Sequence, residues 1–449
     1  MINSPFTGNE QPYKTVFFET FGCQMNKLDA ELSLGLLQED GYRMVDKVDE
    51  ADVILFNTCS VRQHAEDKVY SHLGALKTLK KRHPDVIVGV LGCMAQKDGE
   101  AIFKRSPHVD LVCGTRMFPH LPELLMKVRS HGSHVLAIDE DQVVNIKRAV
   151  VYRPNIYQAF VTVMRGCDNY CSYCIVPHVR GREISRPIEE IKAEAEALVS
   201  NGCKEITLLG QNINSYGKRL AGNVTLGDLL IELNKLDGLE RIRFVTSHPA
   251  DMSRDLILTM SRLEKVCEYL HMPAQSGSDE VLKRMRRGYT SVYYYDLIAF
   301  ARELMPHITV ASDFIVGFPG ETDEDFQQTV KLMEDLRFQN CFIFKYSPRT
   351  GTKAAELPDD VPDEIKRERN QKLLELQKRI SLEENKKMVD KHVQVLVEGA
   401  SKSDPNRLSG RTRKNHIVVF HGAQELVGKL VDVTIREVTD LTLFGKLTS

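Results

Sequence analysis

Short apolar runs alternating with amphipathic stretches constrain this 449-residue chain more than any other feature. "VFFETF" is followed by "NKLDAELSLGLLQEDG", "VILFN" by "RQHAEDKVYSHLGALKTLKK", and "VIVGVLG" by "KDGEAIFKR". Such βα alternation predicts a parallel sheet, because parallel neighbours need a crossover long enough to hold a helix. The pattern runs from Lys14 to about Thr115, and a less regular stretch to about Arg153 reads as a linker. It resumes from Phe160 to about Pro348 with six strand candidates: "FVTVMR", "EITLLG", "IRFVTS", "EYLHM", "VASDFIVGF" and "CFIFKYS". Six βα repeats predict an incomplete relative of the eightfold barrel. Pro362 to Lys391 reads as a long charged helix.

Past it the pattern changes. "HVQVLVEG", "RLSGRT", "HIVVF", "LVDVTIREV" and "LTLFGKLT" are short strands at near-even spacing, which predicts a small antiparallel β-barrel. The predicted class is therefore α/β, in three domains. An open parallel sheet occupies 1–150, a partial (β/α)6 barrel with its following helix 151–385, and the small β-barrel 386–449.

A net charge of -2 with 27% charged residues points to no particular partner by charge alone. No run approaches the ~18 apolar residues of a membrane span, and the first residues lack the apolar core of a secretory signal. No membrane association is expected, and a reducing cytoplasm is the expected location. There, ten cysteines read as metal-binding, catalytic or buried rather than disulfide-bonded.

Two groups of cysteines stand out. Cys167, Cys171 and Cys174, in "RGCDNYCSYC", follow the first barrel strand, at the face where barrel enzymes gather their active sites. Three thiolates at C-x3-C-x2-C spacing can hold three corners of a four-iron, four-sulfur cube and leave one iron open to a small molecule. A zinc site is the alternative, since His178 would complete a Cys3His set. In the first region Cys23, Cys59 and Cys93 each lie just past a strand run, 36 and then 34 residues apart. Carboxyl ends of parallel strands share one edge, so these three would converge there. Packing as small buried hydrophobes is the alternative. Cys113, after "HVDLV", is a fourth candidate for the same edge, while Cys203, Cys267 and Cys341 read as core.

With the aromatic Tyr173 before its last cysteine, the first group resembles the C-x3-C-x-aromatic-C signature of radical S-adenosylmethionine (SAM) enzymes, whose fold is a six-repeat barrel. "TFGCQMNKLDAE", "NTCSVRQHAEDK", "GCMAQ" and "RGCDNYCSYCIVPHVRGREISRP" together resemble the methylthiotransferases, and within them the branch acting on tRNA. That resemblance implies an N-terminal methylthiotransferase domain, a radical SAM barrel and a C-terminal RNA-binding TRAM domain. It implies two 4Fe-4S clusters, one on Cys167, Cys171 and Cys174 that cleaves SAM to a 5′-deoxyadenosyl radical, and an auxiliary one on Cys23, Cys59 and Cys93 that handles the sulfur. Two SAM molecules are used per product. The implied substrate is N6-dimethylallyladenosine beside the anticodon, in a tRNA anticodon stem-loop, modified at C2. An electron-donor protein is implied too, and the sulfur source stays open. Tyr173, Gly210, Gln211, Asn212 and Asp313, at or near strand ends, become candidate SAM contacts.

Basic residues supply candidates for RNA. Arg180 and Arg182 in "HVRGREISR", with Arg186, and Lys283, Arg284, Arg286 and Arg287 after the fourth strand lie near the presumed active face. In "SKSDPNRLSGRTRKNH", Arg411, Arg413 and Lys414 belong to a local basic excess expected to grip phosphates. A solvated surface with ordinary ion pairs is the alternative for all of them. Two other functions stay open: methylthiolation of threonylcarbamoyl adenosine or of a ribosomal-protein aspartate, and a non-catalytic iron–sulfur or zinc RNA-binding protein.

Overall fold

The computed structural model describes residues 14–60, 63–132, 134–138, 153 and 155–448. They form two compact units, one from Met1–Arg153 with His178–Gly181, the other from Pro154–Pro177 with Arg182–Ser449. Among the described residues no helix is long and apolar enough to cross a membrane.

The first unit is one six-stranded parallel sheet of β1 (Lys14–Thr20), β2 (Tyr42–Met44), β3 (Val53–Thr58), β4 (Ile87–Gly92), β5 (Leu111–Cys113) and β6 (Val135–Ala137), in the order β2-β1-β3-β4-β5-β6. Every residue of β3 and β4 is buried, as expected where helices cover both faces. Alternate residues feed separate cores. Val53, Leu55, Ile87 and Leu91 join one, while Ile54, Phe56, Val88 and Val90 join the other. The short strands β2, β5 and β6 were not resolved by the sequence pattern, since three residues carry too little periodicity.

The second unit opens with β7 (Gln158–Thr162) and a small antiparallel pair, β8 (Met164–Arg165) with β9 (Ile184–Ser185). Then come β10 (Glu205–Leu209), β11 (Arg241–Phe244), β12 (Tyr269–His271), β13 (Thr309–Val316) and β14 (Asn340–Lys345). Parallel pairing runs β7-β10-β11 and β12-β13-β14, and the Ile242–Val266 bridge joins the halves. Among the described residues nothing pairs β14 with β7, so the six-strand barrel is partial, as expected. The charged helix Asp363–Lys386 buries Leu373, Leu376 and Ile380 in the barrel core. Its Asn370 donates to the Ile343 carbonyl at 3.1 Å, which occupies the open edge of β14.

The last five strands, β15 (His392–Ala400), β16 (Leu408–Thr412), β17 (Ile417–His421), β18 (Leu430–Val438) and β19 (Thr442–Leu447), close a barrel in the order β15-β16-β17-β19-β18. Its turn at 412–415 docks on the amino ends of the parallel strands, the end opposite the cysteine loop. Arg241 and Arg243, two apart on β11 and so on one face, both reach this turn. Arg241 donates to the Arg411 carbonyl at 2.8 Å, and Arg243 to those of Thr412 and Arg413 at 2.6 and 2.7 Å. Thr309 donates to the Lys414 carbonyl at 2.8 Å. In return Arg413 donates to the Glu264 and Val266 carbonyls at 2.7 and 2.8 Å and pairs with Glu268 at 3.0 Å.

This placement bears on the RNA expectation for Arg411, Arg413 and Lys414. Arg413 is spent on the joint, Arg411 pairs with Glu398 at 3.2 Å, and Lys414 is half-buried with its carbonyl held by Thr309. All three are partly exposed, and of them Arg413 is the one committed to the barrel. Arg243 also stands 3.1 Å from buried Glu205. Replacing Arg243 by Ala would remove the nearer of the two cations on that carboxylate and the donor to two carbonyls. Arg243→Ala should therefore lower the unfolding free energy by about 3–5 kcal/mol in urea titrations, whereas Ala at exposed Lys402 should change it by about 0.5 kcal/mol or less.

Candidate functional site

In the first unit β1, β3 and β4 are neighbours in the sheet, so Cys23, Cys59 and Cys93 leave three adjacent carboxyl ends. Cys23 occupies the N-cap of helix Gln24–Glu39, and Cys93 opens helix Cys93–Asp98. Thr58 pairs with Gly92, which sends Cys59 and Cys93 out side by side. Gly22 brings the first loop against the second. Its φ is +116°, and a Cβ there would lie 2.5 Å from the Cys59 Cβ. Asn26 stitches the loops together: it donates to the Thr58 carbonyl at 2.7 Å, accepts from the Asn57 side chain at its own carbonyl at 2.7 Å, and accepts from the Cys23 thiol at 3.2 Å.

The edge is charged from within. Arg180, 4% exposed, donates to Asp29 at 2.7 Å. Burial pushes the Cys93 thiol up, and the Arg180 guanidinium beside it works the other way. The buried Asn57 Oδ1 and Ser60 Oγ have no hydrogen-bond partner. Converging thiols, a buried cation and unpartnered polar atoms fit an anionic thiolate-bound cluster. Cys113 differs: it is fully buried among Leu111, Phe118 and Leu121, and burial alone raises its thiol. The expected core positions Cys203, Cys267 and Cys341 are likewise buried.

In the second unit the loop from β8 carries Cys167, Cys171 and Cys174. Gly166 donates to Gln211 Oε1 at 2.5 Å, Ser172 donates through its backbone to the Met285 carbonyl at 3.0 Å, and Ala354 donates to the Ser172 carbonyl at 2.7 Å. The loop is thereby tied to the segment after β10, to the end of helix Asp279–Arg284 and to the 3-10 turn Lys353–Glu356. Cys174 donates through its backbone to the Cys171 carbonyl at 3.0 Å, a tight turn that keeps the two cysteines close along the chain. Burial and the neighbouring cysteines push Cys167 up to about 11 and Cys174 up to about 12. Such thiols ionise only when positive charge arrives among them, which the iron of a cluster provides. Among the described residues no three His, Cys, Asp or Glu side chains close on a single point, as around one ion; Cys167, Cys171 and Cys174 are the residues that would hold a cluster.

Two groups lie beside Cys171: Arg287, a candidate for RNA in the sequence, and His248, which the sequence did not single out. Arg287, 5% exposed, donates to its sulfur at 3.4 Å and to the Pro273 carbonyl at 2.9 Å. His248 Nε2 lies 3.9 Å from the same sulfur, and burial together with Arg287 pushes its pKa down to about 3, so it is neutral. "TSHPAD", after the third barrel strand, was the available signal for His248 and for Asp251. Asp251 accepts from Asn169 and Asn212 at 3.1 and 2.6 Å and pairs with Lys218.

Three comparisons bear on identity. Residues 15–114 match Uncharacterized protein family UPF0004, 161–333 the Radical SAM superfamily and 386–448 the TRAM domain. A tRNA-2-methylthio-N(6)-dimethylallyladenosine synthase of Clostridium botulinum (strain Hall) is 46% identical over 96% of this chain and 96% of its own. One from Clostridium novyi is 47% identical over 97% and 96%. The chain belongs to the tRNA-2-methylthio-N(6)-dimethylallyladenosine synthase family. A radical SAM methyltransferase structure, TsrM from Kitasatospora setae, shares its fold at a TM-score of 0.54 and 15% identity, over 76% of this chain and 75% of that one.

For a member of this synthase family, the candidate SAM contacts fall out as follows. Gln211 and Asn212 lie at the carboxyl end of β10, both engaged in the hydrogen bonds above, and Asn212 also accepts from the His248 backbone at 3.3 Å. Gly210 is forced by Met164, whose Cγ would lie 2.5 Å from a Cβ there. Asp313 sits within β13 opposite His271, at 3.0 Å. Tyr173 packs into the small cluster of Val281, Phe318 and Tyr346. At strand ends, buried Ser247 Oγ and Gln275 Oε1 have no partner, and Thr246 and Gln275 are held at φ +69° and +67°. Strained backbone with unpaired polar atoms is what a pre-organised polar ligand site looks like. Arg182 remains exposed, paired with Asp168 at 2.8 Å, while Arg180 and Arg287 are buried.

Thiol access follows from these positions. In folded, iron-free protein, iodoacetamide should label exposed Cys23 first and fully buried Cys113 last, read residue by residue by peptide mass spectrometry.

Proposed function

We propose that this chain inserts a methylthio group at C2 of N6-dimethylallyladenosine, next to the anticodon of tRNA, as a radical SAM methylthiotransferase. The observation that carries the reading is the pair of cysteine sets, each on the carboxyl edge of its own parallel sheet, in a chain matched over nearly its whole length by synthases of that name. An aromatic C–H has no useful acidity, so a general base has nothing to take. When bound, the cluster on Cys167, Cys171 and Cys174 supplies one-electron cleavage of SAM for that step, and one on Cys23, Cys59 and Cys93 supplies the sulfur.

The chain's own residues bind and orient. Arg287 holds Cys171, Ser172 and Gln211 fix the loop, and the Asn169–Asp251–Asn212 set with Ser247 and Gln275 offers polar partners to the amino acid and ribose parts of SAM. Two SAM molecules serve each product, with an electron-donor protein. Free cysteines suit a reducing cytoplasm. We take 1–150, 151–385 and 386–449 as the working domains. The base lies in a single-stranded loop and so leaves its stack at modest cost. Its dimethylallyl group adds apolar surface worth about 25 cal/mol per Å² on burial. Arg182 is an exposed candidate for phosphate contact.

Substrate choice is tested by offering dimethylallylated tRNA, the same tRNA unmodified, and a ribosomal protein to enzyme with SAM, reductant and sulfide. Product should appear on the first alone; methylthiolated protein, or equal turnover of unmodified tRNA, would refute the assignment.

The cysteine sets separate by replacement. Ala at Cys167, Cys171 and Cys174 should halve the iron and abolish 5′-deoxyadenosine. Ala at Cys23, Cys59 and Cys93 should leave 5′-deoxyadenosine detectable and remove the methylthio product. Gly22→Ala, which pushes on Cys59, should resemble the second variant, and Cys113→Ala should retain all the iron, as read by iron assay and nucleoside mass spectrometry.

A further inference from the structure

We propose that Arg180 is a positioning residue for the cluster on Cys23, Cys59 and Cys93, and that its guanidinium raises the reduction potential of that cluster; this rests on the auxiliary-cluster reading above. His178–Gly181 packs within the first unit although the sequence on either side of it belongs to the second. Thr115 donates to the Val179 carbonyl at 2.8 Å, and Gly181, at φ +77°, lies so close to Arg116 that a Cβ would meet its Nη2 at 1.8 Å. Between these anchors Arg180 is delivered to the cysteine edge.

There it meets one carboxylate, Asp29, whose side chain is 5% exposed. Cys23, Asn26 and Asp29 follow at three-residue steps along helix Gln24–Glu39, so they share one side of it. Asn26 Oδ1 is shared by the Cys23 thiol at 3.2 Å and the Arg180 Nη2 at 3.5 Å, so a single side chain links the guanidinium to the cysteine edge. Among the described residues Asp29 alone forms an ion pair with the arginine. Thiolates and a cluster would leave the pocket net negative, with Arg180 as a buried cation beside it. Cluster potentials follow net charge and hydrogen bonds to sulfur, and a fixed positive charge favours the more negative, reduced state. A residue that merely anchored the segment would leave the potential where it was.

The test uses full-length protein with Cys167, Cys171 and Cys174 replaced by Ala, reconstituted anaerobically so that only the first-unit cluster remains. At a fixed applied potential, Arg180→Gln should lower the reduced-to-oxidised ratio, read by electron paramagnetic resonance, about tenfold, or about 59 mV for a one-electron couple. Arg180→Lys, which keeps the charge, should stay within about threefold of the parent. An unchanged ratio in Arg180→Gln with iron retained, or a Lys variant that behaves as Gln does, overturns the proposal. Should Arg180→Gln take up no iron, the Lys variant decides: bound iron at a near-parental ratio supports the role, and loss of iron refutes it. Absence of iron from the parent itself would refute the auxiliary-cluster reading, and the proposal would fall with it.

Discussion

Parallel pairing lays the carboxyl ends of all strands along one edge, and the chemistry of this chain depends on that constraint twice over. In the first unit it gathers cysteines more than thirty residues apart in sequence; in the second it lets the ends of β10, β11 and β12 close around one short loop. Burial makes those edges demanding. A thiolate removed from water needs a positive neighbour, and each set is supplied with a buried arginine, Arg180 in one unit and Arg287 in the other. The two guanidiniums are held differently. Arg180 leans on a carboxylate, whereas Arg287 donates to a carbonyl and is stacked 5.3 Å from the Tyr289 ring.

Buried arginines do the same service between the barrel and the C-terminal strands. Exposed pairs such as Lys47–Glu50 are worth little, because water and entropy offset the attraction. Arg241 and Arg243 are different: nearly inaccessible, they share Glu205 and also donate to main-chain oxygens. A charge placed there stabilises only while all its partners are present.

The βα alternation, the five closing strands and both cysteine sets were legible in the sequence because each is written locally, in periodicity or in spacing to a strand run. Basic residues were not. Arg180, Arg287 and Arg413 sit in polar, charge-rich stretches that read as solvent-facing. Their burial is decided by partners 151, 116 and 145 residues away, namely Asp29, Cys171 and Glu268. No local pattern encodes such a pairing. His248 escaped for a simpler reason: a lone histidine after β11 carries no spacing or pattern that marks it as a neighbour of Cys171. Cys113 illustrates the converse, since it satisfies the strand-end rule, and only its apolar surroundings set it apart.

The joint at 412–415 reads backbone rather than side chains. Successive carbonyls of Arg411, Thr412, Arg413 and Lys414 are addressed by Arg241, Arg243 and Thr309, and of the four side chains Arg413 supplies the return contacts to the barrel. Such an interface is tolerant of spelling and intolerant of length. Residues at 411, 412 and 414 can drift over generations without disturbing it, while a single inserted or deleted residue would carry every oxygen out of step with its donor. Across relatives, variation in this turn should therefore take the form of substitution, with the number of residues between β16 and β17 held fixed.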